Sequence, residues 1–323
     1  MNVLITGSTG LIGSNLLLKL QQNSVYDITA TSRRSGNINI KNINFIQGDL
    51  TDFEFCKMAV KDQEVIIHCA AHTTGAFTVE KSPLDHVTEN IVINAQLLDA
   101  AYKAQAKRFI FISSSTVYSD NDGIPVKEND DIFCKHPYHK YYPVGWMKRY
   151  TETLCYMYSK ILNPSMQCII IRPSNIFGPG DKFDLEKCHV TPALVKKAVD
   201  RYDPIEVWGD GNDIRDILYI DDFVRALELV LNQVYEYNIF NIGYGQSFSV
   251  SEILDKILNI ENYHPQIIYD LKKPRMIPIR RLDTSKAKEL LGFSPQLTID
   301  QGLQKTINWY KTQGIKYTDE TIR

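Results

Sequence analysis

Directly behind the run Asn2-Val-Leu-Ile-Thr6 the chain reads Gly7-Ser-Thr-Gly10-Leu-Ile-Gly13, and from Leu11 to Gln22 it continues as an amphipathic stretch. A strand apolar on both faces has to be covered on both sides, as in a parallel sheet packed between helices. The three glycines have separate duties. Gly7 permits a tight turn, Gly10 lets the backbone approach a ligand closely, and Gly13 allows the helix to cross close to the strand. A helix opening on such a loop aims free N–H groups and the positive end of its dipole at the space in front, which suits a pyrophosphate. Gly7, Gly10 and Gly13 are therefore candidate dinucleotide ligands.

Short β-branched runs recur at Ile28 to Thr31, Ile43 to Ile46, Val65 to His68, Arg108 to Ile112 and Gln167 to Ile171, with helical stretches between them. This alternation predicts an α/β fold, a Rossmann-type doubly wound parallel sheet. After Arg172 the rhythm changes, with Pro173, Gly178, Pro179 and Gly180 close together and shorter elements beyond. We place a dinucleotide-binding domain at 1–173 and a smaller C-terminal α/β substrate lobe at 174–323, with 211–242 returning to the first domain.

With 323 residues, 44% of them hydrophobic and 23% charged, the chain has enough apolar surface for a full core. A formal net charge of −2 argues against a polyanion-binding surface, so no nucleic-acid partner is expected. The apolar runs are far shorter than the roughly 20 residues of a membrane span, and the start reads as a strand rather than a signal peptide, giving the expectation of a cytoplasmic protein without membrane attachment. The cysteines at 56, 69, 134, 155, 168 and 188 show neither C-x-x-C pairs nor zinc spacing, so free thiols and no metal site are expected. Two long helical patterns, from about Pro83 to Ala106 and from about Gly145 to Leu162, either cover the sheet or present outer faces for the four-helix interface of a homodimer.

The second strand runs into Ser32-Arg33-Arg34, where NAD-binding folds place a carboxylate that accepts hydrogen bonds from the ribose hydroxyls. A carboxylate would repel a 2′-phosphate, whereas a serine and two arginines pair with one, so NADP(H) is expected, with NAD as the alternative. Asp49, after the third strand, is placed to reach the adenine amine or to cap the helix starting near Thr51.

The combination of the glycine loop with Asp49-Leu50, His68-Cys-Ala-Ala71, Ser113-Ser-Ser-Thr-Val-Tyr118, Arg172-Pro-Ser-Asn175 and Arg215-Asp-Ile-Leu-Tyr-Ile-Asp-Asp222 resembles the extended short-chain dehydrogenase/reductases that modify nucleotide sugars. Cys188-His-Val-Thr-Pro-Ala193, Val207-Trp-Gly-Asp-Gly211 and Lys273-Pro-x-x-x-Pro278 running to Asp283 are most similar to the GDP-L-fucose synthase branch, the GDP-4-keto-6-deoxymannose epimerase/reductases. The resemblance implies hydride exchange between nicotinamide C4 and a sugar carbon, with Leu50, Ala70 and Pro173 joining the cofactor site. It implies that Ser114 orients the reacting oxygen, that Lys148 holds the nicotinamide ribose, and that Asn175 and Arg215 contact the substrate diphosphate. Arg281 joins them from the basic cluster Lys273, Arg275, Arg280 and Arg281, which is otherwise a solvated surface.

One family residue is absent. Four residues before Lys148, where the family carries the tyrosine of Tyr-x-x-x-Lys, stands Val144. A phenol of ordinary pKa near 10 can be tuned by a neighbouring ammonium, and valine has no proton to give. Tyr138, Tyr141 or Tyr142 swinging in, a water held by Ser114 and Lys148, or chemistry that needs no tyrosine would each answer the loss. In epimerase/reductases a cysteine and a histidine exchange protons beside the keto group; those positions are Thr116 and His189, with the Cys188 thiol next to the latter. A 4,6-dehydratase is disfavoured, because its Asp-Glu pair falls on Ser115 and Thr116. The alternatives are a 4-epimerase or dehydrogenase with retained cofactor, and a catalytically silent dinucleotide or sugar-nucleotide binding protein.

Overall fold

In the computed structural model, which describes residues 1–34, 43–73, 75, 81–82, 84 and 87–314, the first half alternates strand and helix, except that the strand Ile43–Gln47 follows the strand Asp27–Ser32 directly among the described elements. It runs β1 (Asn2–Thr6), α1 (Leu11–Leu20), β2 (Asp27–Ser32), β3 (Ile43–Gln47), α2 (Phe53–Val60), β4 (Val65–His68), α3 (Val87–Lys103), β5 (Arg108–Ile112), α4 (Tyr142–Lys160) and β6 (Gln167–Pro173). After β7 (Asn175–Phe177), α5 (Val190–Val199), β8 (Ile205–Trp208), β9 (Ile214–Arg215) and β10 (Ile217–Tyr219), helix α6 (Ile220–Leu231) leads into β11 (Tyr237–Ile242). The chain closes with β12 (Phe248–Ser249), α7 (Val250–Glu261), β13 (Ile267–Asp270), β14 (Ile279–Arg280), α8 (Ser285–Leu291) and α9 (Ile299–Trp309).

Seven strands form one sheet in the order β11-β6-β5-β4-β1-β2-β3, and every pairing is parallel. Successive side chains of a strand face opposite sides, and both sides are apolar here. Val3, Ile5, Ile67, Ile110 and Ile169 pack with Leu16 and Leu20 of α1 and Phe223 and Leu227 of α6. Leu4, Ile66, Phe109, Phe111 and Ile170 pack on the other side with Phe55 of α2, Leu97 of α3 and Cys155 of α4. The doubly wound reading is thus observed. The order reverses between β1 and β4, and at such a reversal the crevice beyond the carboxyl ends of the strands receives the ligand.

The return of the chain is local: β11 adds to the sheet beside β6, and α6 packs on α1. The remaining elements form small pairs, β8 with β13, β7 with β10, and β14 and β12 on either side of β9. Their helices share the apolar layer under α1, through Leu194, Ile253, Leu303 and Ile307.

Of the two long helices, α4 starts three residues before the expected Gly145, with Pro143 in its first turn, where the missing N–H costs nothing. Pro83 lies outside the described residues. Helix α3 ends at Lys103 because Gln105 takes a left-handed φ of 59° and the Ala106 N–H returns to the Ala101 carbonyl, a helix-ending turn. The outer face of α4 leaves Tyr142, Tyr150, Tyr156 and Met157 exposed, and Leu84, Val87, Ile91 and Trp146 continue an apolar groove toward α3. Among the described residues no helix is long and apolar enough to cross a membrane.

Candidate active site

The glycine loop leaves no room for side chains. A Cβ on Gly7, whose φ is +65°, would lie 2.6 Å from the Ala70 Cα, and one on Gly13 would lie 2.3 Å from the Gly7 carbonyl oxygen. Gly7 therefore serves a close approach to the loop after β4 as well as a turn. Gly10 is the N-cap of α1, where no side chain caps the helix and no acidic residue occupies the first turn. The orphan N–H groups of that turn remain available to an anion, so the cradle fits the pyrophosphate of a dinucleotide.

The loop carrying Ala70 is fixed by a network that local spacing does not reveal. The Ala70 N–H donates to Thr6 Oγ1 at 3.2 Å, and that hydroxyl lies 2.8 Å from His68 Nδ1. His68 Nε2 is 2.9 Å from Asn94 Oδ1, and Asn94 Nδ2 donates to Thr151 Oγ1 at 3.0 Å. An amide oxygen only accepts, so the imidazole carries its proton on Nε2 and takes the Thr6 proton at Nδ1. Burial pushes the His68 pKa down to about 4, partly opposed by the Asn94 hydrogen bond and reinforced by Lys148. The ring is neutral and links β1, β4, α3 and α4 beneath the cofactor crevice.

At the adenosine end, Ser32 Oγ is 2.8 Å from Thr9 Oγ1. Arg33 does not stand free: it is paired with Glu89 of α3, whose second oxygen lies 2.8 Å from His72 Nδ1. Arg34 has no ion-pair partner among the described residues. Leu50 is buried, whereas Asp49 is exposed and accepts the Thr51 N–H at 2.9 Å. The cap expected of Asp49 belongs to Asp52, which accepts the Glu54 N–H at 2.9 Å, since α2 starts two residues later than the sequence suggested.

At the end of β5, Ser114 Oγ accepts the Thr116 N–H at 3.1 Å, which leaves its own proton to donate elsewhere. Thr116 Oγ1 is buried and has no hydrogen-bond partner. Lys148 is buried, donates from Nζ to the Ile112 carbonyl at 2.9 Å and lies 4.7 Å above the Phe111 ring centroid. Burial draws its pKa down to about 8, with Glu152 pulling the other way. Val144, one helical turn earlier, is half-buried.

The three neighbouring tyrosines point elsewhere. Tyr142 is exposed and groups with His136 and Trp146 on the outer face. Tyr141 faces Arg215 of β9 and Arg280 of β14, where burial raises its phenol pKa against both cations. Tyr138 is set beside Asp120, Asp213 and Arg275.

His189 is the N-cap residue of α5. It is open to solvent on one side yet closely surrounded, and this partial burial, with nearby Lys182, lowers its pKa. The Cys188 thiol is buried and pushed up to about 12, so it stays protonated. Pro173 closes β6, half-buried beside Ile242 of β11. Asn175 Nδ2 donates to the Asp216 carbonyl at 3.1 Å, which leaves its amide oxygen open. Arg215 is buried; it donates to Asp213 Oδ2 at 3.1 Å and to the Pro278 carbonyl at 3.2 Å. In the basic cluster Arg281, just past β14, is exposed, whereas Arg280 at the end of β14 is buried near Arg215 and Tyr141, with its Nε unpartnered.

A parallel sheet with a glycine cradle at its reversal point, an oriented serine and a buried lysine at the next strand end, and buried arginines on the short strands β9 and β14 define a dinucleotide-dependent α/β enzyme. The chain belongs to the NAD dependent epimerase/dehydratase family, whose model matches residues 3–243. A putative UDP-glucose 4-epimerase of Methanocaldococcus jannaschii is 32% identical, over 96% of this chain and 98% of its own. A GDP-L-fucose synthase of Sinorhizobium fredii is 26% identical, over 94% and 93%. Among solved structures, the UDP-glucose 4-epimerase of Thermotoga maritima with UDP-glucose has a TM-score of 0.85 at 26% identity, covering 97% of this chain and 99% of that one. The UDP-glucuronic acid 4-epimerase of Bacillus cereus with UDP-glucuronic acid and NAD has a TM-score of 0.84 at 27% identity, with the same coverage.

Proposed function

We propose that the protein is an NAD(P)-dependent nucleotide-sugar oxidoreductase of the epimerase/reductase type, acting on a GDP-linked 4-keto hexose in deoxysugar or surface-polysaccharide biosynthesis. The observation that carries this reading is the pairing, at the end of β5, of Ser114 with an uncommitted proton and Lys148 buried against the Ile112 carbonyl. Asn175 and Arg215, with Arg280, hold the diphosphate. Ser114 donates to the sugar oxygen, and Lys148 holds the nicotinamide ribose. His189, kept neutral, takes and returns a proton at the carbon beside the keto group, while Thr116 can only hydrogen-bond there. The bound nicotinamide supplies the hydride. With Val144 in place of a phenol, the proton at the sugar oxygen comes through water held by Ser114 and Lys148.

The second reading is a UDP-sugar 4-epimerase with retained cofactor, favoured by the Methanocaldococcus relative. One experiment separates the two. Consumption of added NADPH or NADH with GDP-4-keto-6-deoxymannose supports the reductase; interconversion of UDP-glucose and UDP-galactose without added cofactor supports the epimerase and overturns the first.

The cofactor end makes its own prediction. Ser32 and Arg34 favour NADP(H), but Glu89 neutralises Arg33. Glu89→Gln is expected to tighten NADPH binding about fivefold relative to NADH, the equivalent of about 1 kcal/mol for one exposed ion pair, as read by fluorescence titration. An unchanged ratio contradicts a 2′-phosphate site at Arg33. The exposed aromatic face of α4 with the groove toward α3 supports a homodimer. Tyr150→Asp, a charge placed in that face, is expected to give a monomer in sedimentation velocity where the parent chain is a dimer; a parent monomer refutes the assembly.

A further inference from the structure

One turn beyond Lys148 on α4, Glu152 is almost completely buried. Its carboxylate accepts two hydrogen bonds from Arg172 of β6, at 2.6 and 3.1 Å, and one from Ser113 Oγ at 2.5 Å. Arg172 also donates to the Tyr118 hydroxyl at 2.8 Å, and Tyr118 donates to Asn241 Oδ1 at 2.6 Å. A single carboxylate thus joins α4, the end of β5 and the end of β6. Ser113 stands between Ile112, whose carbonyl holds the Lys148 ammonium, and Ser114. A buried ion pair of this kind adds little to stability over apolar residues of equal volume, so a position in the reaction explains its presence better than folding does.

We infer that Glu152 is a positioning residue for hydride transfer: it fixes Ser114 through Ser113 and supplies the negative charge that keeps Lys148 an ammonium. The groups facing Lys148 support this. From its own helix comes Glu152, from β4 and its loop His68 and Cys69, and from β5 the Phe111 ring and the Ile112 carbonyl. His68 is neutral, and the Cys69 thiol, pushed up to about 12 by burial, stays protonated. Glu152 is the one carboxylate among the described residues that acts on the ammonium, and Arg172 and Arg149 lie behind it. Its removal would take from Arg172 its ion pair and from Arg149 one of the two carboxylates acting on it, Asp131 being the other, and this also favours loss of the Lys148 proton.

The inference rests on the proposed reading of Lys148 as a ribose contact, and cofactor binding tests it without substrate. NAD(P)H affinity by fluorescence and turnover are measured against pH for the full chain. In Glu152→Gln the high-pH loss of affinity and turnover is expected to move down by about one unit. Glu152→Asp is expected to restore most of the profile. Circular dichroism establishes that the variants are folded. Ser113→Ala, which keeps the charge and cuts only the link to Ser114, is expected to lower kcat about tenfold with KM and pH profile unchanged; wild-type kcat there overturns the positioning role even if Glu152→Gln does not fold. Lys148→Met with wild-type affinity refutes the reading of Lys148 and the inference with it. Lost affinity in Lys148→Met beside a parental profile in folded Glu152→Gln overturns the inference alone.

Discussion

Val144→Tyr is expected to speed hydride transfer about 10²-fold or more, the usual contribution of a positioned acid. The position lies in the first turn of α4, one turn before a buried ammonium, and is half-buried, so a larger side chain has an outlet. A phenol there would feel Lys148, and a neighbouring cation favours the phenolate and brings the pKa toward the working range. Tyr141 cannot substitute from where it stands, because it faces Arg215 and Arg280, and Tyr142 lies on the outer face. The control is Val144→Phe, with the same ring and no proton. Single-turnover decay of NAD(P)H absorbance on mixing with the 4-keto sugar decides the matter. A gain in the tyrosine variant alone places the missing proton at this position. Equal rates in all three chains, with brisk native turnover, show that the water held by Ser114 and Lys148, together with His189, handles the chemistry without it. No turnover in any of them, with ligand still bound, leaves the binding-protein reading.

What the sequence shows and what it hides divide along one physical line. Strands such as Val65 to His68 and Arg108 to Ile112 are legible because both faces are apolar, and the glycine loop is legible because its spacing follows from steric demands within a few residues. Contacts between residues far apart leave no such trace. Arg33 reads locally as a phosphate ligand, yet Glu89, which pairs with it, stands on another element. Within Arg280-Arg281 the spacing names a pair, and only the register of β14 against β9 tells which guanidinium is buried. Glu152 carries no local motif that distinguishes it from a solvated helix glutamate; its partners Arg172 and Ser113 come from two strands. The exposed tyrosines of α4 and the tyrosine beside Arg215 likewise differ only in where the chain turns before the helix.

His68 gives the second large effect, and it is one of pH. The residue is buried between Thr6 and Asn94 with its pKa lowered to about 4 from an ordinary 6.5. A depressed histidine pKa means that between pH 6.5 and 4 the unfolded chain binds a proton the folded one refuses. Its contribution is therefore complete above 6.5 and falls as the pH drops toward 4, by about 3 kcal/mol for a shift of this size. Two buried carboxyls work in the opposite direction. Burial raises Asp216 to about 6 and Asp181 to about 7, so in the acid range the folded chain holds protons the unfolded one lacks, and acidification stabilises it. In the parental chain these terms oppose each other. Subtraction removes the carboxyls: in His68→Gln they remain while the imidazole is gone, and an amide can still meet Thr6 and Asn94. The difference in unfolding free energy between parent and variant, from urea titrations at pH 7 and pH 4.5, is expected to shrink by about 2 kcal/mol or more on acidification, or to change sign. A difference independent of pH would mean that the ring is not held neutral, and that the Thr6–His68–Asn94 link does not anchor the Ala70 loop in the form described.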